Sequence, residues 1–253
     1  MPDPAPQDAF AACRETVRLG DKDNYLALLF APEVLQPPLF ALAAFATELA
    51  RIPSLVSESP IGEIRLQWWA DTLAAMESGE GGSHPVAQAM AETVATSALP
   101  LAPLSAMVEA RCFDLYADVM PDVASVEAYF GETQSALIQL SCMVIDQTAA
   151  PKAASAAGFA GVALGLARAL ALSPRSERWQ PPGKNRDDML ALATARFEEA
   201  RTALRDVPKQ LLPAFLPTAV TPLYRDAARA GRRDVPQWRR QWRIWRAARS
   251  EMI

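Results

Sequence analysis

PPLFALAAFATELARIPSLVSESPIGEIRLQWWADTL, residues 37–73, is the densest mixture of apolar, aromatic and charged side chains in the chain. It opens on an almost uninterrupted apolar run and then introduces Glu48, Arg51 and Glu58. Its second half carries Glu63, Arg65, Trp68, Trp69 and Asp71. Proline lacks a backbone N–H and clashes with the preceding turn, so the prolines at 53 and 60 divide the stretch into two predicted helices, 37–52 and 61–78. On the second, Glu63–Gln67 and Arg65–Trp69 are i,i+4 neighbours on one face. Two readings are open. The stretch is a helix pair packed together and locked by a few ion pairs. Alternatively, Glu48, Arg51, Glu63, Arg65, Trp68, Trp69 and Asp71 form a ligand or partner surface.

The same punctuation extends outward. Proline clusters recur at 32–38, 53–60, 100–103, 174–182 and 207–222, and helical spacing fills the intervals. The predicted helices are 8–19, 23–31, 37–52, 61–78, 84–97, 102–119, 123–148, 152–172, 186–206, 209–230 and 235–250. Asp23, Ser83, Asp122 and Asn185 are the expected N-caps, since short polar side chains accept from the first free N–H groups. Residues 77–84 and 173–185 are expected as the most flexible connections. No repeat or domain-scale linker is visible, so 1–253 reads as one domain, with 1–8 and 250–253 as candidates for disorder.

Composition agrees with helix. The 253 residues include 49 alanines and 11 glycines, and long alternating β-branched runs are absent. Alanine loses least on entering a helix. Hydrophobic residues make up 51%, enough for a sizeable core. A net charge of −4 gives no global reason to expect nucleic acid. Cys13, Cys112 and Cys142 are too scattered for a disulfide framework or zinc site and read as buried free thiols, which suits a reducing, cytoplasmic setting. The N-terminus lacks the basic start and apolar run of a signal peptide. Residues 153–172 are about long enough to cross a bilayer. Their Ala/Gly content and Arg168 favour a buried central helix instead.

Familiar chemistry is hard to place. The single histidine, His84, lies in a Gly/Ser-rich stretch and reads as a solvated loop residue. Nucleophile-elbow, dinucleotide and P-loop motifs are absent. Magnesium held against a diphosphate needs carboxylates at i and i+3 or i+4. Asp114 and Asp118 in DLYAD are the best such pair, and a weak candidate because no twin accompanies them. Asp187 and Asp188 fit a helix start, where acids meet the positive end of the dipole. From Ala149 to Ser176 there is no Asp or Glu at all.

The C-terminal stretch QWRRQWRIWRAAR, 237–249, places Trp238, Trp242 and Trp245 on one helical stripe, with Arg239, Arg240, Arg243 and Arg246 beside or behind it. That layout suits a membrane interface or an anionic partner. It equally suits tryptophans that cap the domain's own core, and this second reading is slightly preferred.

FALAAFATELARI followed by GEIRLQWWADTL resembles the squalene/phytoene synthase family. DKDNYLALLFAP at 21–32, HPV at 84–86 and the Ala/Gly helix at 158–172 extend the resemblance. It implies an all-α, single-domain isoprenoid synthase-type helical bundle, whose enzymes join two prenyl diphosphates through magnesium held by two aspartate-rich motifs. Neither motif is present. The first falls on Ala50 and Ser54, with Arg51 beside them and Ala43 at a position usually tyrosine. The second falls on Gly165, Arg168, Ala171 and Leu172. The FATELAR-to-RLQWW pattern is most similar to a divergent branch that includes the mitochondrial assembly factor for respiratory complex I. That resemblance implies a non-catalytic protein without catalytic residues or cofactor. It would work with a protein partner, such as respiratory complex subunits, as a peripheral protein at the inner membrane face. The alternatives are a prenyl-diphosphate transferase with an altered, magnesium-using site, or an isoprenoid or lipid binder.

Overall fold

A computed structural model describes residues 6–77, 82–250 and 253. Among them every regular element is helical, as alanine content and proline spacing predict. The chain divides into two compact units, Met1–Tyr116 and Ala117–Ile253.

The first unit contains α1 (Pro6–Gly20), α2 (Lys22–Leu28), α3 (Gln36–Leu55), α4 (Ser59–Met76), α5 (Pro85–Thr96) and α6 (Leu101–Ala110). α3 is its core helix. Every residue from Leu39 to Ala46 is buried, because α1, α5 and α4 cover it on several sides. An apolar run with no polar face has no other stable place. The helix continues past its expected end, through Pro53 to Leu55. A proline so near the terminus removes only one late hydrogen bond, and Ser54 Oγ donates to the Arg51 carbonyl at 2.6 Å.

Several expected ends move for local reasons. α2 is capped by Asp21, whose carboxylate accepts from Asn24 N at 3.1 Å, and Asp23 is buried instead. α5 starts at Pro85 with His84 rather than Ser83 at its cap, and no side chain there bonds the helix. The helix expected over 102–119 leaves α geometry after Ala110, tightens to a 3-10 turn over Arg111–Leu115, and is extended at Tyr116.

The second unit contains α7 (Val123–Phe130), a π turn (Gly131–Ser135), α8 (Ala136–Ile145), α9 (Ala154–Leu172), α10 (Arg186–Ala203), α11 (Leu212–Phe215), α12 (Thr221–Arg229) and α13 (Gln237–Ser250). α9 is its centre, packed by α10, α12 and the π turn. The long helix expected over 123–148 thus exists, widened by one π turn. The helix expected over 209–230 is broken into short 3-10 and α pieces, because Pro213, Pro217 and Pro222 each remove a donor. Asp122 and Asn185 are N-caps as expected. Asp122 accepts from Ser125 N at 2.7 Å, and Asn185 forms a reciprocal capping box with Asp188.

Within residues 173–185 the middle is packed, while 174, 175 and 182–185 are exposed. Arg178 and Trp179 are buried in a 3-10 turn, and the Arg178 carbonyl accepts from Met120 N at 2.9 Å. Residues 78–81 of the other expected flexible connection lie outside the described residues, as do 1–5 and 251–252 of the expected disordered ends. The described part of the N-terminal stretch, from Pro6, is already helical. α3 and α9 with their leading turns are long and apolar enough to cross a membrane by length and composition, but most of each is buried within its unit.

Candidate functional site

In the first unit the sequence candidates gather around one aromatic cluster. α3 contributes Phe45 and Glu48, α4 contributes Trp68 and Trp69, and the cap of α5 contributes His84. The Phe45 and Trp69 rings meet edge-to-face at 5.2 Å, and Trp68 and Trp69 at 4.9 Å. His84 sits 5.6 Å from both tryptophan rings. Trp69 is 4% exposed and belongs to the core, whereas Trp68 is 43% exposed. Adjacent helical positions face about 100° apart, so one indole points inward and the other sits at the rim.

His84 is therefore not a solvated loop residue. It is half-buried, and its Nδ1 has no hydrogen-bond partner among the described residues. Burial lowers its pKa below the ordinary histidine value, and the nearby Glu48 carboxylate opposes that shift only in part. The HPV motif marks a helix start but contains nothing that reports the two indoles. That contact depends on residues of α4.

The charged candidates divide. Glu48 pairs with Arg51 at 3.0 Å within α3. Glu63 accepts from the Tyr116 hydroxyl, and Gln67 donates to Asp71 at 2.7 Å rather than pairing with Glu63. Arg65 is exposed, as are Ala50 and Ser54. Glu48, Arg51, Trp68 and Trp69 thus share a neighbourhood with His84, while Glu63, Arg65 and Asp71 lie along the outer side of α4. The inner half of the stretch is packed through its aromatic rings, but its ion pair, Glu48–Arg51, lies within α3 and does not lock the two helices together; the outer half is open surface.

Asp114 and Asp118 do not form a carboxylate pair on one helix. The chain leaves the helix between them, at Tyr116, which destroys the i,i+4 register. Asp114 pairs with Arg111 at 3.0 Å, and Asp118 is exposed. Cys112, expected buried, is exposed on the same turn; Cys13 and Cys142 are buried, and burial pushes both thiols up to about 12.

In the second unit the acid-free helix α9 is packed tightly. A Cβ on Gly165 would lie within 3.0 Å of the Phe130 ring, and one on Gly161 within 3.0 Å of the Ser135 backbone. The rings of Phe130, Tyr129 and Trp179 pack against one another, edge-to-face or tilted, with centroids 4.9–5.1 Å apart. Arg168 lies over the Tyr224 ring at 5.4 Å. Ala171 is buried and Leu172 exposed. The positions implied by the resemblance are thus occupied by one glycine, Gly165, that admits the Phe130 ring, by the Arg168 guanidinium over Tyr224 and by the hydrocarbon of Ala171 and Leu172. None supplies a hard oxygen ligand. Among the described residues no three His, Cys, Asp or Glu side chains come together to hold a metal ion. The residues present do not fit the family's magnesium site. Elsewhere in this unit a pocket of about 300 Å³ opens among Glu198, Arg201, Arg205, Val207, Lys209 and Leu212.

α13 docks through Ile244 and Ala247, both buried, on the Leu216–Val220 turn. Arg243 Nε donates to the Ala219 carbonyl at 3.0 Å, and Arg240 to the Tyr224 hydroxyl at 3.2 Å. Trp238, Trp242 and Trp245 are 65%, 53% and 49% exposed. The tryptophans do not cap the core. The much smaller isoleucine and alanine take that face, because they let the backbones approach.

Comparison with known proteins agrees with this architecture. The chain is 28% identical over 232 residues to complex I assembly factor 6 of Homo sapiens, covering 81% of this chain and 69% of that protein. The Rattus norvegicus protein of the same name is 27% identical over 241 residues, covering 85% and 72%. Among solved structures, a dehydrosqualene synthase superposes with a TM-score of 0.77 at 15% identity, covering 97% of both chains. The squalene synthase HpnC from Alicyclobacillus acidocaldarius superposes at 0.68 with 19% identity, covering 96% and 95%. These two likenesses establish the all-α isoprenoid synthase fold. The squalene/phytoene synthase family model matches residues 17–178, well over half of the 253, and the chain belongs to that family.

Proposed function

We propose that the chain is a non-catalytic member of its family that acts in the assembly of a respiratory membrane complex. One observation carries the reading. The positions matched to the family's aspartate-rich motifs carry no carboxylate: Ala50 and Ser54 stand at the first, and Gly165, Arg168, Ala171 and Leu172 at the second, along a helix packed by aromatic rings. Similarity to proteins named as assembly factors of complex I supplies the cellular direction. The working surface would be protein-binding, with no cofactor, no magnesium and no nucleic acid partner, and the chain would sit peripherally at the inner face of the membrane. The outer side of α4, with Glu63, Arg65, Trp68 and Asp71, is the candidate partner surface. Loss of the Asp114–Asp118 register removes the main support for an altered transferase site. The close packing of α9 in its own unit speaks against an isoprenoid cavity there.

Two measurements test this. Affinity purification after in-cell crosslinking should recover respiratory complex subunits. Incubation with farnesyl diphosphate and magnesium should release no pyrophosphate above the buffer rate. Sustained, metal-dependent pyrophosphate release would overturn the reading.

A further inference from the structure

α13 is held by one face, and among the described residues nothing covers the other. Its inner arc, Arg240, Ile244 and Ala247, is used up in docking within the second unit. Its outer arc places Trp238, Trp242 and Trp245 side by side at helical spacing, each about half or more exposed. Arginines are interleaved with them: Arg239 lies over Trp238 at 5.3 Å, Arg246 over Trp242 at 5.4 Å and Arg249 over Trp245 at 5.4 Å. Three exposed indoles on one helix of a folded chain make a contiguous apolar patch, not scattered surface residues.

The charge around this patch is one-sided. Residues 225–250 hold nine arginines and two aspartates, in a chain whose net charge is −4. The helix itself, 237–250, has no acid. Burial, and then the neighbouring cations Arg246, Arg201 and Arg225, lower the pKa of Arg243. The patch therefore sits in a concentrated positive field. Indoles prefer the water–hydrocarbon boundary, and arginine can lay its stem on apolar surface while its head meets phosphate.

We propose that the outer face of α13 is a membrane-interface surface that binds bilayers carrying anionic headgroups. The helix lies in the plane of the bilayer, with Trp238, Trp242 and Trp245 at the acyl boundary and Arg239, Arg246 and Arg249 on lipid phosphates. This deepens the reading above and rests on it for placing the chain beside a membrane. The docking of Ile244 and Ala247 leaves the outer face available without any rearrangement of the unit.

Vesicle co-sedimentation of the full chain tests it, with phosphatidylcholine alone and with phosphatidylcholine plus phosphatidylglycerol. The chain should bind the second and not the first. Added salt should weaken binding, and tryptophan emission should shift to the blue. Joint Trp238→Ala, Trp242→Ala and Trp245→Ala should abolish the binding with helicity unchanged. Joint Arg239→Gln, Arg246→Gln and Arg249→Gln should weaken it by roughly a hundredfold, and this variant carries the test if the first loses helicity. No binding of the unaltered chain to anionic vesicles would overturn the proposal. So would equal binding by the variants. Binding to polyglutamate or to an oligonucleotide while anionic vesicles stay unbound would also overturn it. Vesicle binding and recovery of respiratory subunits are separate readouts, so either can fail alone.

Discussion

Gly161 on α9 faces the backbone of Ser135 with no room for a Cβ, and one turn earlier the Ser135 hydroxyl donates to the Gly158 carbonyl at 2.8 Å. The π turn and the central helix are joined here backbone to backbone. The extra residue of a π turn displaces the chain locally, and here the displaced segment runs against a stripe of small residues on α9. Glycine at 161 is a packing requirement, and it occupies a helix that an enzyme of this fold would use for metal ligands.

That contact predicts a series of glycine substitutions. Gly161→Ala should destabilise by about 1–3 kcal/mol, because the colliding atoms are backbone and cannot turn aside. Gly165→Ala should also destabilise, because the Phe130 ring it meets is buried against Tyr129 and Trp179. Gly158→Ala meets nothing within 4 Å and should stabilise by up to about 1 kcal/mol, from helix propensity. Urea midpoints of the three variants check the signs.

The two adjacent tryptophans of α4 should behave differently. Trp69→Ala removes a core indole and should cost about 3–5 kcal/mol. Trp68→Ala should cost about 1 kcal/mol or less in stability, while reducing recovery of partner subunits if the outer side of α4 is the partner surface. Denaturation and quantitative crosslinking separate the two effects.

His84 makes stability depend on pH in a stated direction. Its folded pKa lies below the ordinary value of 6.5, so in that interval the unfolded chain binds more protons than the folded one. The contribution is complete above pH 6.5 and is lost as pH falls through the lower folded value. Comparing urea midpoints above and below pH 6.5 should show the fall. His84→Gln should flatten it.

Thiol chemistry should single out one cysteine. Cys112 is exposed, whereas Cys13 and Cys142 are buried with pKa values of about 12. A thiol reagent should modify Cys112 in the native chain and reach the other two only on unfolding. Peptide mapping after brief labelling gives the site. Rapid modification of Cys142 in the folded state would contradict the packing of α8.

Removal of the Asn185 capping box should shorten α10. Asn185→Ala frees the Asp188 N–H and should cost about 1 kcal/mol by thermal or urea unfolding. The effect should be local, since Asp187 and Asp188 still face the helix dipole.

Much of the architecture was readable before any coordinates, because it depends on near neighbours in the chain. Alanine content and proline spacing determined that the protein is helical and where most helices lie. The Ala/Gly-rich, apolar character of 153–172 determined that this helix is central. Asp122 and Asn185 announced their own helix starts. The absence of acids from 149–176 and the replacements at Ala50 and Ser54 already pointed away from a metal site. Contacts between segments distant in sequence settled the rest. His84 became a packed residue only because α4 brings Trp68 and Trp69 to it. Asp114 and Asp118 lost their common face when the helix tightened after Ala110, a change no periodicity announces. On α13 the Trp and Arg positions were visible from the start, but the choice between inward and outward was not. An amphipathic helix has two defined faces, and only the surface it docks on decides which one is covered. The Leu216–Val220 turn took Ile244 and Ala247, and the indoles were left outside.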